Sequence, residues 1–297
     1  MLALFYAIPK LSDGRKNKTV TPRVISVWNV DTFEGGKGSR TTFLSGVASR
    51  FEKEKENVYV LTSAYTKEGA KAALDEGLRP DILSYGVGFP APEAKKTVAW
   101  CRGGYAVFSL KDDFSNLTAS TVVLSDGGEN LPEVAACLLG LTGEVKKLES
   151  TAAYLRFLAG DFPYLLGTQR DICRFISRGV NVYAKPLDGY CDLYQHAAIL
   201  REENYGLCEA YLSALLSAKN QARLVGLGML SPYGEIYGNE GGLHALLEQT
   251  SPKRTLARVA DSTELERVST AAYEGMKSGN VEVLKNFLKE VGNTSKK

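Results

Sequence analysis

The sequence predicts an α/β fold in which mostly parallel sheets are flanked by helices. Three observations point there. Extended β-rich runs alternate with amphipathic helical runs over residues 22–110. Glycine and proline punctuate nearly every junction between them. The helical runs each carry one apolar stripe, which needs a sheet face to cover.

The first β-rich run covers residues 24–30, and residues 31–38 make a glycine-rich loop after it. Ser39 then opens a helix with Phe43, Leu44, Val47, Ala48 and Phe51 on one face. Residues 57–63 read as a second strand. Thr66 caps the next helix, which turns Ala70, Ala73 and Leu74 inward and stops at Gly77. Pro80 and Asp81 lead into a short strand over 82–84 that ends at Tyr85 and Gly86. Strands alternating with helices in this way imply a parallel sheet covered on both faces.

The character then changes. Gly103 and Gly104 precede a strand at 105–110, another follows at 121–124, and residues 125–130 form a polar turn. Residues 132–178 read as mainly helical, with Val134, Cys137, Leu138 and Leu141 at helical spacing. Residues 186–189 break the chain, and 193–200 are extended. A periodic helix spans 203–217, a further one lies near 221–225, and the tail from 263 to 291 is helical. No internal repeat is visible.

Composition narrows the function classes. The chain has 297 residues, 44% apolar and 24% charged, which is ordinary for one large or two medium domains. Lys and Arg total 36 against 34 Asp and Glu, so no basic excess points to a nucleic acid. No apolar run is long enough to span a bilayer. Residues 1–21 stand apart: an abrupt apolar start followed by polar residues reads either as a docked N-terminal segment or as the remnant of an export signal or anchor. The five cysteines are scattered, with no CxxC pair and no close His, so they read as buried thiols rather than metal ligands.

The order of these signals resembles the family 1 extracellular solute-binding proteins, which include maltose- and oligosaccharide-binding receptors. The matching residues are the strand from Val24 to Trp28, the helix end from Val47 to Glu52, and the strand at Val58-Tyr59-Val60. They continue with Gly77-Leu78-Arg79-Pro80-Asp81-Ile82, the run from Trp100 to Ser109, and Pro186 to Gly189. Ala210 to Pro232 closes the series, with its Ser217-x-x-x-Gln221 pattern. The resemblance covers residues 22–240, and the order of the motifs carries it rather than any one of them. The chain is shorter than is usual for the family, through a thin second lobe, and Gly167 to Asp171 replaces a small-residue and Trp pattern.

What the resemblance implies is a two-lobed, type II periplasmic-binding-protein-like fold with a ligand cleft between the lobes. One lobe would comprise 22–106 with 195–240, the other 107–194 with 241–297. The implied role is capture of a small polar ligand, a sugar above all, for the permease subunits of an ABC importer, by a monomer outside the cytoplasm. It implies hinge motion, no cofactor and no chemistry on the ligand. Two alternatives stay open: an enzyme on a related two-lobed scaffold, and a degenerate paralogue acting as sensor or scaffold.

Ligands of open α/β sheets bind outside the carboxyl ends of the strands. A sugar offers apolar C–H faces that suit Trp and Tyr, and hydroxyls that suit charged and amide groups. Trp28, Tyr65, Tyr85, Trp100, Tyr190 and Tyr194 are therefore stacking candidates. Asp31, Arg40, Asp81, Arg102, Gln169, Arg170 and Asp171 are polar ones, although Asp81 after proline also suits a turn. Lys37, Gly38 and Ser39 read either as an anion site at a helix N-terminus or as a tight turn with Ser39 as N-cap. They are not a P-loop, because the first glycine of that motif is missing and Gly38 follows Lys37 where Ser or Thr belongs. Gln169, Arg170 and Asp171 read as a ligand grip in a loop or as a salt-bridge cluster fixing it. Catalysis has little support: there are two histidines, His196 and His244, and no nucleophile or metalloprotease motif. An Asp81–Asp171 pair would make a glycosidase dyad only if the fold joined them.

Overall fold

The computed structural model describes residues 21–30, 36–128, 130–251, 256 and 262–294. The N-terminal segment up to residue 20 and the candidate Asp31 lie outside the described residues.

The chain opens with β1 (Arg23–Val30), α1 (Arg40–Glu54), β2 (Val58–Tyr65), α2 (Lys67–Asp75), β3 (Ile82–Gly86) and β4 (Lys96–Arg102). Alternation along β1 sets the two faces of this sheet. Ile25 and Val27 face a core shared with Leu44, Val47 and Phe51 of α1. Trp28 and Val30 face a smaller cluster with Ala70 and Leu74 of α2. Both helices start where a hydroxyl satisfies a free N–H: Ser39 Oγ accepts from Thr42 N, and Thr66 Oγ1 from Gly69 N. Each such cap stabilises its helix by about 1 kcal/mol.

The second part runs β5 (Tyr105–Ser109), β6 (Val122–Asp126), α3 (Pro132–Leu138), β7 (Lys146–Glu149), α4 (Ser150–Leu158), β8 (Tyr164–Thr168), α5 (Gln169–Ser177) and β9 (Tyr183–Pro186). Here the expectation of a mainly helical stretch over 132–178 is corrected, since β7 and β8 interrupt it. A five-residue strand buried on both faces, as β8 is, shows no alternation to distinguish it from helix. The chain then returns through β10 (Tyr194–Ile199), α6 (Tyr205–Leu215), α7 (Ala218–Gln221) and a 3-10 turn at Ala222–Leu227. It ends in α8 (Gly242–Glu248), α9 (Ser262–Ser278) and α10 (Val281–Thr294).

Two five-stranded sheets result, ordered β2-β1-β3-β10-β4 and β7-β6-β8-β5-β9. Both are mixed rather than wholly parallel. In the first, β10 is antiparallel to β3 and β4; in the second, β5 is antiparallel to β8 and β9. The cause is connectivity. A strand that arrives from the other lobe enters its new sheet at the carboxyl edge of the parallel strands and must run away from it. Sheet membership puts Tyr105 and Ala106 with the second sheet and Tyr194 with the first.

The chain passes between the sheets at Gly103 and Gly104, along residues 187–193, and again between Leu230 and α8. Arg102 ties the first and third passages together. Its main chain exchanges hydrogen bonds with Leu230, at 2.9 Å each way. Its buried guanidinium donates to four main-chain carbonyls: Ser231, Gly103, and Leu247 and Glu248 at the end of α8. A cation at a helix C-terminus also meets the negative end of the helix dipole. Replacing Arg102 by Leu removes the guanidinium donors from those buried carbonyls, of which Leu247 keeps a bond from Thr250, and we expect a loss of about 3 kcal/mol in urea unfolding. An unchanged midpoint would remove Arg102 as the tie.

Candidate functional site

The carboxyl ends of β1, β2 and β3 on one lobe and of β6, β7 and β8 on the other define the edges between which a ligand of this fold would lie. The lobes touch at the base of that space. Gly104 N donates to Gln169 Oε1 at 3.0 Å, and a Cβ on Gly103 would fall 2.3 Å from the same oxygen. A larger residue there would push the Gln169 amide off its bond to Gly104. Gly36 comes so close to the Leu227 carbonyl that a Cβ would overlap it, and Lys37 N donates to that carbonyl at 2.7 Å. The glycine-rich loop thus first serves close backbone approach, and Ser39 acts as the N-cap of α1.

Several candidates turn out to hold the scaffold. Asp81 stands at the amino end of β3, away from the ligand edge, where it accepts from Ser26 N and Oγ and from Asn204 Nδ2. Trp100 is wholly buried; its Nε1 donates to Ser84 Oγ and its ring stacks on Phe43 at 5.4 Å. Arg102 is the interlobe tie just described. Gln169, Arg170 and Asp171 are not a loop but the first turn of α5. Asp171 closes a capping box with Thr168, accepting from Thr168 N at 3.1 Å, and burial pushes its carboxyl up despite that donor and Arg174. Arg170 is half-buried and donates to Ser150 Oγ; burial, then Arg174, pulls its guanidinium down to about 10. Asp81 precedes β3 in the first lobe and Asp171 lies in the first turn of α5 in the second, and the hydrogen bonds of each go to different partners, so they form no dyad.

The aromatic candidates form two groups. Trp28 lies against Tyr65 at 4.4 Å, and Tyr85 lies between Phe89 and His196, on the α2 side of the first sheet. Tyr194 joins them through His196. Of these, Tyr65 at the end of β2 keeps the most open face, since Trp28 and Tyr85 are both buried. Tyr190 is buried beside Tyr105, and burial drives its phenol well above the usual range. Arg40 is buried in the first turn of α1. Lys37, Gly38 and Ser39 are exposed and line an open cavity of about 600 Å³ between α1 and the 3-10 turn.

Sequence reasoning missed a buried polar network at the ligand edge of the first sheet. Ser84 Oγ donates to Asn29 Oδ1 at 2.8 Å, and Gln195 Nε2 donates to the Val30 carbonyl at 2.8 Å and to Ser84 Oγ. Asn29 Nδ2 donates to Thr41 Oγ1, which binds the start of α1 to the sheet. The signal was present: Gln195 is the one amide in an otherwise apolar and aromatic strand.

The seam also brings Cys173 and His244 together, with Sγ 3.6 Å from Nε2, and Tyr237 stacks on His244 at 4.7 Å. The pair is not an activated nucleophile. Burial lifts the thiol to about 11, while burial and Lys37 drop the imidazole to about 4. Both groups are neutral near pH 7, the reverse of a thiolate–imidazolium pair.

No family model matches the sequence, and no curated protein does. Solved structures do match. The sugar-binding protein MalE of Xanthomonas citri aligns with a TM-score of 0.62 at 12% identity, over 91% of this chain and 96% of that one. The fold is that of the two-lobed substrate-binding proteins. The GacH receptor of Streptomyces glaucescens, solved unliganded and with acarbose, gives a TM-score of 0.55 at 12% identity over 92% and 97% of the two chains. The maltose-maltodextrin binding protein of Alicyclobacillus acidocaldarius gives 0.55 at 11% identity, over 91% and 100%. Identities this low carry the fold and no more.

The neutral His244 makes stability depend on pH. Its folded pKa lies below the ordinary value of 6.5, so its contribution is complete above that pH and is lost as pH falls towards 4. At about 1.4 kcal/mol per pH unit the loss approaches 3 kcal/mol. Urea unfolding of wild type and His244→Gln at pH 7 and pH 4.5 checks this. The wild type should lose more stability on acidification than the variant, and equal losses would contradict it.

Proposed function

We propose that this protein is an extracytoplasmic receptor that captures a small polar solute, a mono- or oligosaccharide, and delivers it to the permease subunits of an ABC importer. The observation that carries the reading is the likeness of almost the whole chain to solved sugar-binding receptors, with both lobes accounted for. The fold's chemistry agrees with it. Two strand-end edges meet across a glycine crossover, which lets the lobes rotate about a few residues and enclose a ligand. Binding without chemistry is also the reading favoured by the seam, whose thiol and imidazole are both neutral. No described helix is long and apolar enough to cross a membrane.

Within that cleft we assign the stacking role to Tyr65, backed by Trp28, because its ring is accessible at a strand end and is held by an aromatic neighbour. Tyr85 and Trp28 serve mainly as the packed support, so replacing either with Ala is expected to cost stability together with affinity.

Thermal unfolding against a panel of monosaccharides, maltodextrins and amino acids tests the function. A ligand at a hundred times its dissociation constant adds about 2.7 kcal/mol and raises the midpoint by a few degrees. At least one saccharide should do so. The shift should shrink in Tyr65→Ala, with affinity falling about tenfold, the equivalent of about 1.4 kcal/mol. A cooperative transition that no saccharide moves would overturn the reading.

A further inference from the structure

We infer that the open groove between α1 and the 3-10 turn is a second binding site, separate from the interlobe cleft, for a small phosphate- or carboxylate-bearing anion. Its lining comes from residues 37–50 and 223–227, so every wall belongs to the first lobe or to the segment packed on it. No residue of the second sheet takes part. The site therefore does not need the lobes to close.

Among the described residues the charge in this groove is one-sided: Lys37, Arg50 and Arg223 line it, and no described Asp or Glu does. Among the described residues, no carboxylate comes within ion-pair distance of any of the three, although the protein as a whole balances 36 basic against 34 acidic residues. Arg50 is fixed in place, its Nε donating to Asn220 Oδ1 at 2.8 Å. Asn220 is itself buried and anchored to the Ala214 carbonyl at 2.7 Å. A guanidinium bound through Nε presents its remaining N–H groups as a fork, the geometry that phosphate and carboxylate match. Burial, then the charge of Arg223, lowers the Arg50 guanidinium below its usual range, so two cations share this end with no acid among the described residues to offset them.

At the other end, Gly38, Ser39 and Thr42 put the N-terminal turn of the 15-residue α1 into the wall, and the helix dipole adds positive potential there. Phe43 gives an apolar wall, and Gly46 and Gly226 leave the space open. The volume of about 600 Å³ lies within the range of small-ligand sites and far exceeds a single inorganic ion. The fit is to an organic molecule with an apolar body and an anionic group, such as a sugar phosphate or a sugar acid.

The test uses the full chain and isothermal titration with glucose 6-phosphate and glucuronate, with glucose as the neutral control, at constant ionic strength. Both anions should bind with one-to-one stoichiometry, and glucose should give no heat from this site. Arg223→Glu changes an exposed side chain and should leave the ligand-free thermal midpoint within a degree or two of wild type. In that variant and in Lys37→Glu, the anion affinity should fall at least tenfold. The response to whichever neutral saccharide binds the cleft should persist, which separates this site from the receptor reading. Absence of anion binding, or binding unchanged in both variants, would overturn the proposal. So would uptake of an acidic peptide but of neither small anion, since that marks a protein-docking face instead.

Discussion

Much of this architecture depends on one buried guanidinium. Arg102 sits where the chain leaves the first lobe, and its side chain binds the carbonyls of the third passage and the end of α8. Burying an arginine without a carboxylate is costly, and here four carbonyls and a helix C-terminus offset that cost. The joint lies beside an apolar cluster that runs from the first sheet through Tyr105, Tyr190 and Leu193 into Val107 and Leu166 of the second. Gly103 and Gly104 beside it carry no side chain; Gln169 fills the space beside Gly103, and Leu247 packs against Gly104. A charged tie next to two glycines gives the crossover a defined pivot.

The antiparallel strands follow from the same joint. Because β5 and β10 start at the interlobe edge, each runs against its neighbours, and the parallel strands beside them bring their carboxyl ends to that edge. The connections that follow those strands therefore collect where the lobes face each other. The network of Asn29, Ser84 and Gln195 beneath them holds this edge of the first sheet through side chains that hydrogen-bond to one another, while Gln195 Oε1 is left without a partner among the described residues. Such a floor is polar yet rigid, which suits recognition of a polar ligand by preset partners.

The first lobe was largely legible in the sequence. Its helices are long enough to display an apolar stripe, and its caps at Ser39 and Thr66 are the expected residues in the expected places. The second lobe was less so, since β7 has only four residues and β8 is buried on both faces, which removes the period that identifies a strand. The site was the least legible part. A strand's alternation tells that Trp28 and Val30 share a face, but not that α2 covers it. Arg102 and Asp171 are charged residues near strand ends, which suggested ligand contacts. Their actual partners are carbonyls and amides brought close by the crossover and by a capping box, contacts between residues as much as 146 positions apart. Local sequence does not encode the long-range pairings of Arg102, whereas the Thr168–Asp171 box is a pattern three residues long that a helix reading could have found.

The central claim, a receptor whose lobes close on a sugar about the Arg102 joint, is tested most directly by small-angle X-ray scattering. Profiles would be recorded with and without saturating amounts of the saccharide that gives the largest thermal shift. Closure predicts a smaller radius of gyration on binding, with an unchanged molecular mass. Saturated binding that leaves the radius of gyration unaltered would contradict the account, because the ligand would then occupy a preformed site on one lobe.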